Sequence, residues 1–409
     1  MKKIGILAIA LFAGVAAMAQ ESVVKEAEHI LKGSSPDYAA ALKAIQPALT
    51  DPSTAEQMNT WYVAGKAAMG IYDEAYKKQA MGQEVPADQL KQAGQALYDS
   101  YKYYRKAMTL DSIPDAKGKI KPKKTKEMLS NIAGHYGDFL NAGLFLYNTQ
   151  DYPAAYEAWN VYTTLPENPI FNGKAPVAQP DSVVGQILFY QGTAALLSKE
   201  YKQAMDAYSK AIDKNYTPVE VYLYGGEAAR LAEDENALLD FCKKGYEKYG
   251  TQDAQFIGQL INHELEKSNF DNAFKLVDEA LAKTDPTSPM YSQLLTIRGI
   301  VNEQNNNIDA AKADFEKSVA VDPSNAKSHF GLGRLRFNAA LTASNSIDTA
   351  LPQELKDQFL AAIDELKAAY NLDNTLTQIP AVIFQAYYIL GAGYEEDAKE
   401  WQSIAGIQL

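Results

Sequence analysis

Apolar and small residues recur three and four positions apart along most of the chain, in segments of helical length that come in pairs. In 290–323 the recurring positions are Leu295, Gly299, Ala311, Phe315 and Ser318, closed by Asp322 and Pro323. In 185–218 they are Leu188, Gly192, Ala204, Tyr208 and Ala211. Tyr222 and Gly226 begin a third copy, and Gly333 a fourth that resumes after an insertion at Ala362, Leu366 and Ala369. Gly192 to Gly226 and Gly299 to Gly333 are both 34 residues. Small residues at fixed places let two helix backbones approach, and the bulky ones fill the holes beside them. Asp-Pro ends the second helix, because proline lacks the amide donor and constrains the residue before it. Each helix is marginal alone and has to bury its apolar face on neighbours, so the pattern predicts stacked helix pairs.

A 34-residue period of two amphipathic helices resembles the tetratricopeptide repeat, with a bulky residue at position 4, Gly or Ala at 8, Ala at 20, an aromatic at 24, Ala at 27 and Pro at 32. The resemblance implies an all-α chain, an α-solenoid (superhelix) of stacked antiparallel helix pairs. Weaker copies carry it across most of 22–374. Ser35-Pro36-Asp37 starts a helix running through Ala40 and Ala44 to Asp51-Pro52; Trp61 and Gly65 open a unit closed by Tyr104, Ala107 and Asp111. Phe139 and Gly143 open another, closed by Ala155, Trp159 and Pro166, with Asp151 and Pro153 supplying its helix start; Ile257, Ala273, Val277, Ala280 and Pro286 make a further one. Eight units are expected, in an N-terminal group over 20–166, a Pro- and Gly-rich connection at 167–184 that is a hinge or only a long link, a C-terminal group over 185–379, and a capping helix within 380–409. About 23 extra residues between Ala68 and Ser100, and about 17 between Arg336 and Ala362, are expected to form longer helices joined by exposed loops.

The first nineteen residues change the picture. Lys2 and Lys3 precede an apolar run from Ile4 to Met18 ending in Ala17-Met18-Ala19, the pattern of a secretory signal cleaved after Ala19. The run is short of the roughly 20 residues a spanning helix needs, although an uncleaved anchor is the alternative. The expected location is exported and periplasmic. Cleavage removes two lysines and no acids, taking the formal charge from −12 to −14, against nucleic acid as a partner. Cys242 is the single cysteine, so no internal disulfide holds the exported chain, and its helical setting suggests a small buried residue.

No catalytic, cofactor or metal motif emerges. The four histidines are scattered, and NHELEK at 262–267 has Lys267 where a zinc-protease helix needs its second ligand. GLG at 331–333 and GAG at 391–393 lie inside helical patterns and suit close helix packing rather than a dinucleotide loop. Of Tyr98, Tyr101, Tyr103 and Tyr104, the second and fourth are expected in the core. The densest charge run is KGKIKPKKTK at 117–126, a loop by its Pro114, Gly118 and Pro122. It is either a solvated connection or, through Lys119, Lys121, Lys123 and Lys124, a contact for lipid headgroups or an acidic protein.

The family resemblance also implies a concave groove lined by positions 2, 5, 9, 12 and 13 of the first helices, which takes an extended peptide or a partner helix. Those positions fall on Tyr62, Lys66 and Met69; Leu140, Leu144 and Tyr147; Phe189, Thr193 and Leu196; Leu223, Glu227 and Arg230; Asn262; and Lys327, Phe330, Arg334 and Phe337. Position 5 is never lysine, so the carboxylate-clamp version of the groove is not expected. Lys327, Arg334 and Phe337 form the favoured patch for a peptide or acidic segment. The leading expectation is a non-enzymatic scaffold for protein–protein interactions in the bacterial envelope. The alternative is a solute- or glycan-binding protein of the helical outer-membrane nutrient-uptake type, which would carry a lipidated Cys where this chain has Gln20.

Overall fold

The computed structural model describes residues 21–345, 347 and 350–407; the signal segment lies outside them. Among these residues every regular element is helical. The chain forms two compact units that meet in sequence at Asp234 and Glu235. The first holds α1 (21–31), α2 (Tyr38–Ile45), α3 (Met58–Ala80), α4 (Ala87–Asp111), α5 (Thr125–Gly134), α6 (Asp138–Asn148), α7 (Tyr152–Thr164), α8 (Asp181–Leu197), α9 (Tyr201–Asp213) and α10 (Val219–Leu231). The second holds α11 (Glu235–Tyr249), α12 (Ala254–Glu266), α13 (Phe270–Ala282), α14 (Pro289–Gln304), α15 (Ile308–Val321), α16 (Ala326–Ser344), α17 (Gln353–Leu372), α18 (Ile379–Leu390) and α19 (Glu395–Ile404).

Within the first unit α3 and α4, α6 and α7, and α8 and α9 pack as hairpins, and the second helix of each also packs on the first helix of the next. The second unit repeats this with α12 and α13, α14 and α15, α16 and α17, and α18 and α19. All but the last of these hairpins close on the residue pair that the period singles out. A Cβ on Gly143 would stand 2.2 Å from Trp159, on Gly192 2.8 Å from Tyr208, and on Gly299 2.7 Å from Phe315, so only glycine lets these rings lie on the backbone. The partners are always sixteen residues apart. Where α12 carries bulky Ile261 at the glycine's place, α13 answers with smaller Val277, and both are fully buried.

The two insertions keep this contact. Gly65 still meets Tyr104 and Gly333 still meets Leu366, at separations longer by 23 and 17 residues. The extra residues lengthen both helices of each hairpin, to 23 and 25 residues in α3 and α4 and to 19 and 20 in α16 and α17.

Two expectations are corrected. The 167–184 connection is not a boundary, because α7 and α8 on its two sides pack together and Phe171 within it is buried in the same core as Trp159 and Ile187. The C-terminal segment is a helix pair rather than a single cap. Gly391 and Gly393 take φ values of 70° and 96°, conformations open to glycine, and turn the chain between α18 and α19. The GAG run is therefore a turn, whereas Gly331 and Gly333 do serve close packing, against Phe315 and Leu366.

Candidate functional site

Along α6, α7, α8 and α10 of the first unit, aromatic rings run from one repeat to the next. Tyr152 and Tyr147 are 5.2 Å apart between centroids, Tyr147 and Trp159 5.6 Å, Trp159 and Tyr190 6.2 Å, and Tyr190 and Phe189 5.6 Å. Phe189 then stacks on Tyr224 at 6.0 Å and 16°, with Tyr216 at 5.9 Å. Trp159 and Tyr208, the rings seated on Gly143 and Gly192, hold the row from beneath. Both are buried; the Trp159 indole donates to the Leu140 carbonyl at 3.2 Å and the Tyr208 hydroxyl to Thr193 at 3.3 Å. The repeat contact thus anchors the surface rings.

The upper surface is open. Tyr190 and Tyr224 are each 40% exposed and Leu144 48%. Among the described residues the hydroxyls of Tyr147, Tyr190, Tyr216 and Tyr224 have no protein hydrogen-bond partner. Burial, then the neighbouring phenols of Tyr152, Tyr190 and Tyr224, push the Tyr147 hydroxyl up, and burial followed by Tyr190 does the same at Tyr216. These groups therefore stay neutral donors. The nearby charge is self-satisfied, since Arg230 grips Glu227 through Nε at 2.8 Å and Nη2 at 2.6 Å. A row of aromatic rings of this kind can stack and donate hydrogen bonds.

Other sequence-derived positions divide sharply. Phe189 belongs to the row, and Arg230 lies exposed on α10 beside it. Tyr62 and Phe337 are corrections. Tyr62 is 7% exposed and donates its hydroxyl to Glu127; Phe337 is 4% exposed and packs edge-on to Phe359 at 5.9 Å, in the core between α16 and α17. Neither can face a partner. Lys66 is exposed near Glu127. On α16 Lys327 is exposed, and Arg334 covers the Phe330 ring at 5.4 Å while pairing with Glu303. That pairing makes the α16 patch less basic than its sequence suggests.

In the lysine segment Lys124 is partly committed. Its ammonium pairs with Glu127 at 3.0 Å and lies over the Tyr62 ring at 4.8 Å, while its side chain stays 40% exposed. Lys119 and Lys123 are exposed, and Lys121 makes only a loose 3.7 Å pair with Asp115.

The tyrosines of α4 are all engaged. Tyr104 is fully buried, Tyr101 meets Phe139 at 5.9 Å, Tyr103 meets Trp61 at 5.8 Å, and Tyr98 donates to Glu157 at 3.0 Å. Tyr101 is only partly buried. Cys242 is buried, which pushes its thiol up to about 11. In the second unit a cleft of about 270 Å³ opens against Leu239, Leu260 and Leu276, beside Lys243, His263 and Glu264. His263 is spent on Glu235 at 2.7 Å. Among the described residues no three His, Cys, Asp or Glu side chains converge as a metal site would require.

In both units a first helix lies on its second through a glycine under a ring sixteen residues on, or through a compensated pair of the same spacing. The repeats are of the tetratricopeptide type. No protein-family model matches the chain, and no curated protein does. Solved structures similar to it include a TPR repeats protein from Bacteroides fragilis, 20% identical, covering 62% of this chain and 98% of that one at a TM-score of 0.29. The C-terminal part of a TPR repeat-containing protein from Cytophaga hutchinsonii is 14% identical, covering 66% and 100% at 0.39. The human IFIT1 dimer is 12% identical, covering 83% and 73% at 0.40. At such scores the internal contacts of the tetratricopeptide pairs, and not the overlays, carry the fold.

Tyr190 and Tyr224, the most open rings of the row, were not among the groove positions taken from the sequence. Their signal was present: they are 34 residues apart, the same period as Gly192 and Gly226 beside them.

Proposed function

We propose that the protein is a non-enzymatic scaffold of the bacterial cell envelope that holds an extended peptide or helix of another envelope protein against the Tyr147–Tyr224 row. The observation that carries this reading is the open aromatic row itself, rigidly supported and with its hydroxyls unspent. Exposed, pre-ordered aromatic rings are the residues that dominate binding energy at protein interfaces. A fold of this type does not fix its use, so the reading rests on that row. The secretory pattern of residues 1–19 supports export with cleavage after Ala19.

The test is a photo-crosslinking residue at Tyr190 in cells, with one at Lys202, exposed on α9, as control. One or two discrete protein adducts at Tyr190 alone are expected. The double variant Tyr190→Ala, Tyr224→Ala should lower partner capture by about thirtyfold or more, taking about 2 kcal/mol as the hot-spot threshold. Undiminished capture by that variant removes the row as the site. Fractionation with N-terminal sequencing should find mature chain beginning at Gln20 outside the cytoplasm; an intact N-terminus in the cytoplasm removes the envelope assignment.

Open ring faces with free hydroxyls also favour a second reading, glycan binding. Saturable calorimetric heats with oligosaccharides, lost in the same double variant, would establish it instead.

A further inference from the structure

The lysine loop between α4 and α5 is built differently from an idle connection. From 112 to 124 it carries five lysines against the single acid Asp115, a net +4 in a chain of −12. Its backbone is fixed at both ends. The Asp115 carboxylate accepts the amides of Lys117 and Lys119 at 2.9 and 3.0 Å. The Asp111 carboxylate accepts those of Lys123, Lys124 and Thr125 and the Thr125 hydroxyl, all between 2.8 and 2.9 Å. Lys124 lies over the Tyr62 ring of α3. The groups facing the loop from its neighbours, Asp111 and Glu127, are consumed by these bonds, which leaves Lys117, Lys119, Lys121 and Lys123 directed to solvent.

Two large apolar side chains share this cationic loop. Ile113 is 59% exposed and Ile120 57%. Lysines alone would suit any acidic surface, and exposed isoleucines among them add an apolar component to the contact. An anionic bilayer suits both, because its headgroups attract the ammonium groups while the boundary beneath them takes apolar side chains. The acidic remainder of the chain is repelled by the same surface, so contact is oriented through the loop.

We propose that this loop docks the protein on an anionic lipid surface, with Ile113 and Ile120 entering the interface and Lys117, Lys119, Lys121 and Lys123 bound to the headgroups. The site is separate from the aromatic row, so its failure leaves the peptide-binding reading untouched.

The experiment is co-sedimentation of the mature chain with vesicles of phosphatidylcholine and phosphatidylglycerol in equal parts, and with pure phosphatidylcholine. Binding to the anionic vesicles at low salt, lost with added salt and absent from the neutral ones, is expected. Replacing the four lysines by Gln should weaken it by more than about a hundredfold, and Ile113→Ser with Ile120→Ser by about tenfold or more. Circular dichroism and melting would verify that both variants fold, as expected for exposed loop positions. No binding of the native chain, equal binding to neutral vesicles, or unchanged binding by either variant overturns the proposal. Retention on polyglutamate resin without vesicle binding would assign the loop to an acidic protein and overturn it equally.

Discussion

Lys199 ends α8 in a left-handed conformation, φ 63°, although it carries a Cβ. Gln150, Ser268 and Asn306 do the same at the corresponding place of their hairpins, with φ between 54° and 61°. The reason lies in the following two amides. Lys199 and Glu200 donate back to the carbonyls of Leu196 and Ala195 at 3.0 and 2.9 Å, satisfying the helix end and turning the chain into α9. The hairpin is short enough that the turn geometry overrides the preference of the residue. Lys199→Gly should therefore stabilise the protein by about 0.5–1 kcal/mol, raising its urea midpoint, because the left-handed strain of an L-residue disappears at a modest entropic cost. A lowered midpoint would show that the lysine side chain contributes more than its backbone costs.

At the scale of elements, the joint between α4 and α5 depends on one carboxylate. Burial alone would raise the Asp111 carboxyl, but its bonds to Lys123, Lys124 and Thr125 outweigh this and hold it below the usual carboxylate range. A depressed carboxyl contributes stability that is present above its unfolded value and is lost as pH falls through the folded one. Hydrogen exchange at the amides of 123–125, corrected for intrinsic rate, should accelerate below about pH 4. Asp111→Ala should reproduce that acceleration at neutral pH and cost at least about 2 kcal/mol, since bonds to a charged acceptor are the stronger kind. Protection unchanged in acid would mean that the loop is held by other contacts. This element was only half legible beforehand: Pro114, Gly118 and Pro122 announce a loop, but a carboxylate reaching twelve to fourteen residues ahead leaves no local pattern.

For the molecule as a whole, packing between neighbouring hairpins distributes stability unevenly. In the second unit, among the described residues, the α18–α19 hairpin packs on α17, and Trp401 of α19 joins it there by an edge-on contact with Tyr370 at 5.3 Å and by Lys367 over its ring at 5.9 Å. Trp401→Ala removes a large buried side chain, a change worth about 3–5 kcal/mol in well-packed cores. Exchange protection should collapse in α18 and α19 while α12 to α15 keep theirs. Uniform loss across the unit would show that its hairpins unfold as one body.

The sequence by itself determined the repeat: its 34-residue period, the glycine and ring that close four of the hairpins, and the positions and lengths of the two insertions. These are local or near-local facts, because a contact sixteen residues away in sequence imposes its own residue types on both partners. Tertiary structure decided what each unit leaves in water. Tyr62 and Phe337 occupied groove positions in the pattern, yet they are buried, because Glu127 comes from α5 and Phe359 from a lengthened α17. Tyr190 and Tyr224 become a joined surface only when α8 and α10 lie side by side. Exposure is set by neighbours distant in the chain, and a periodic sequence specifies its own hairpin far more tightly than it specifies what comes to lie against it.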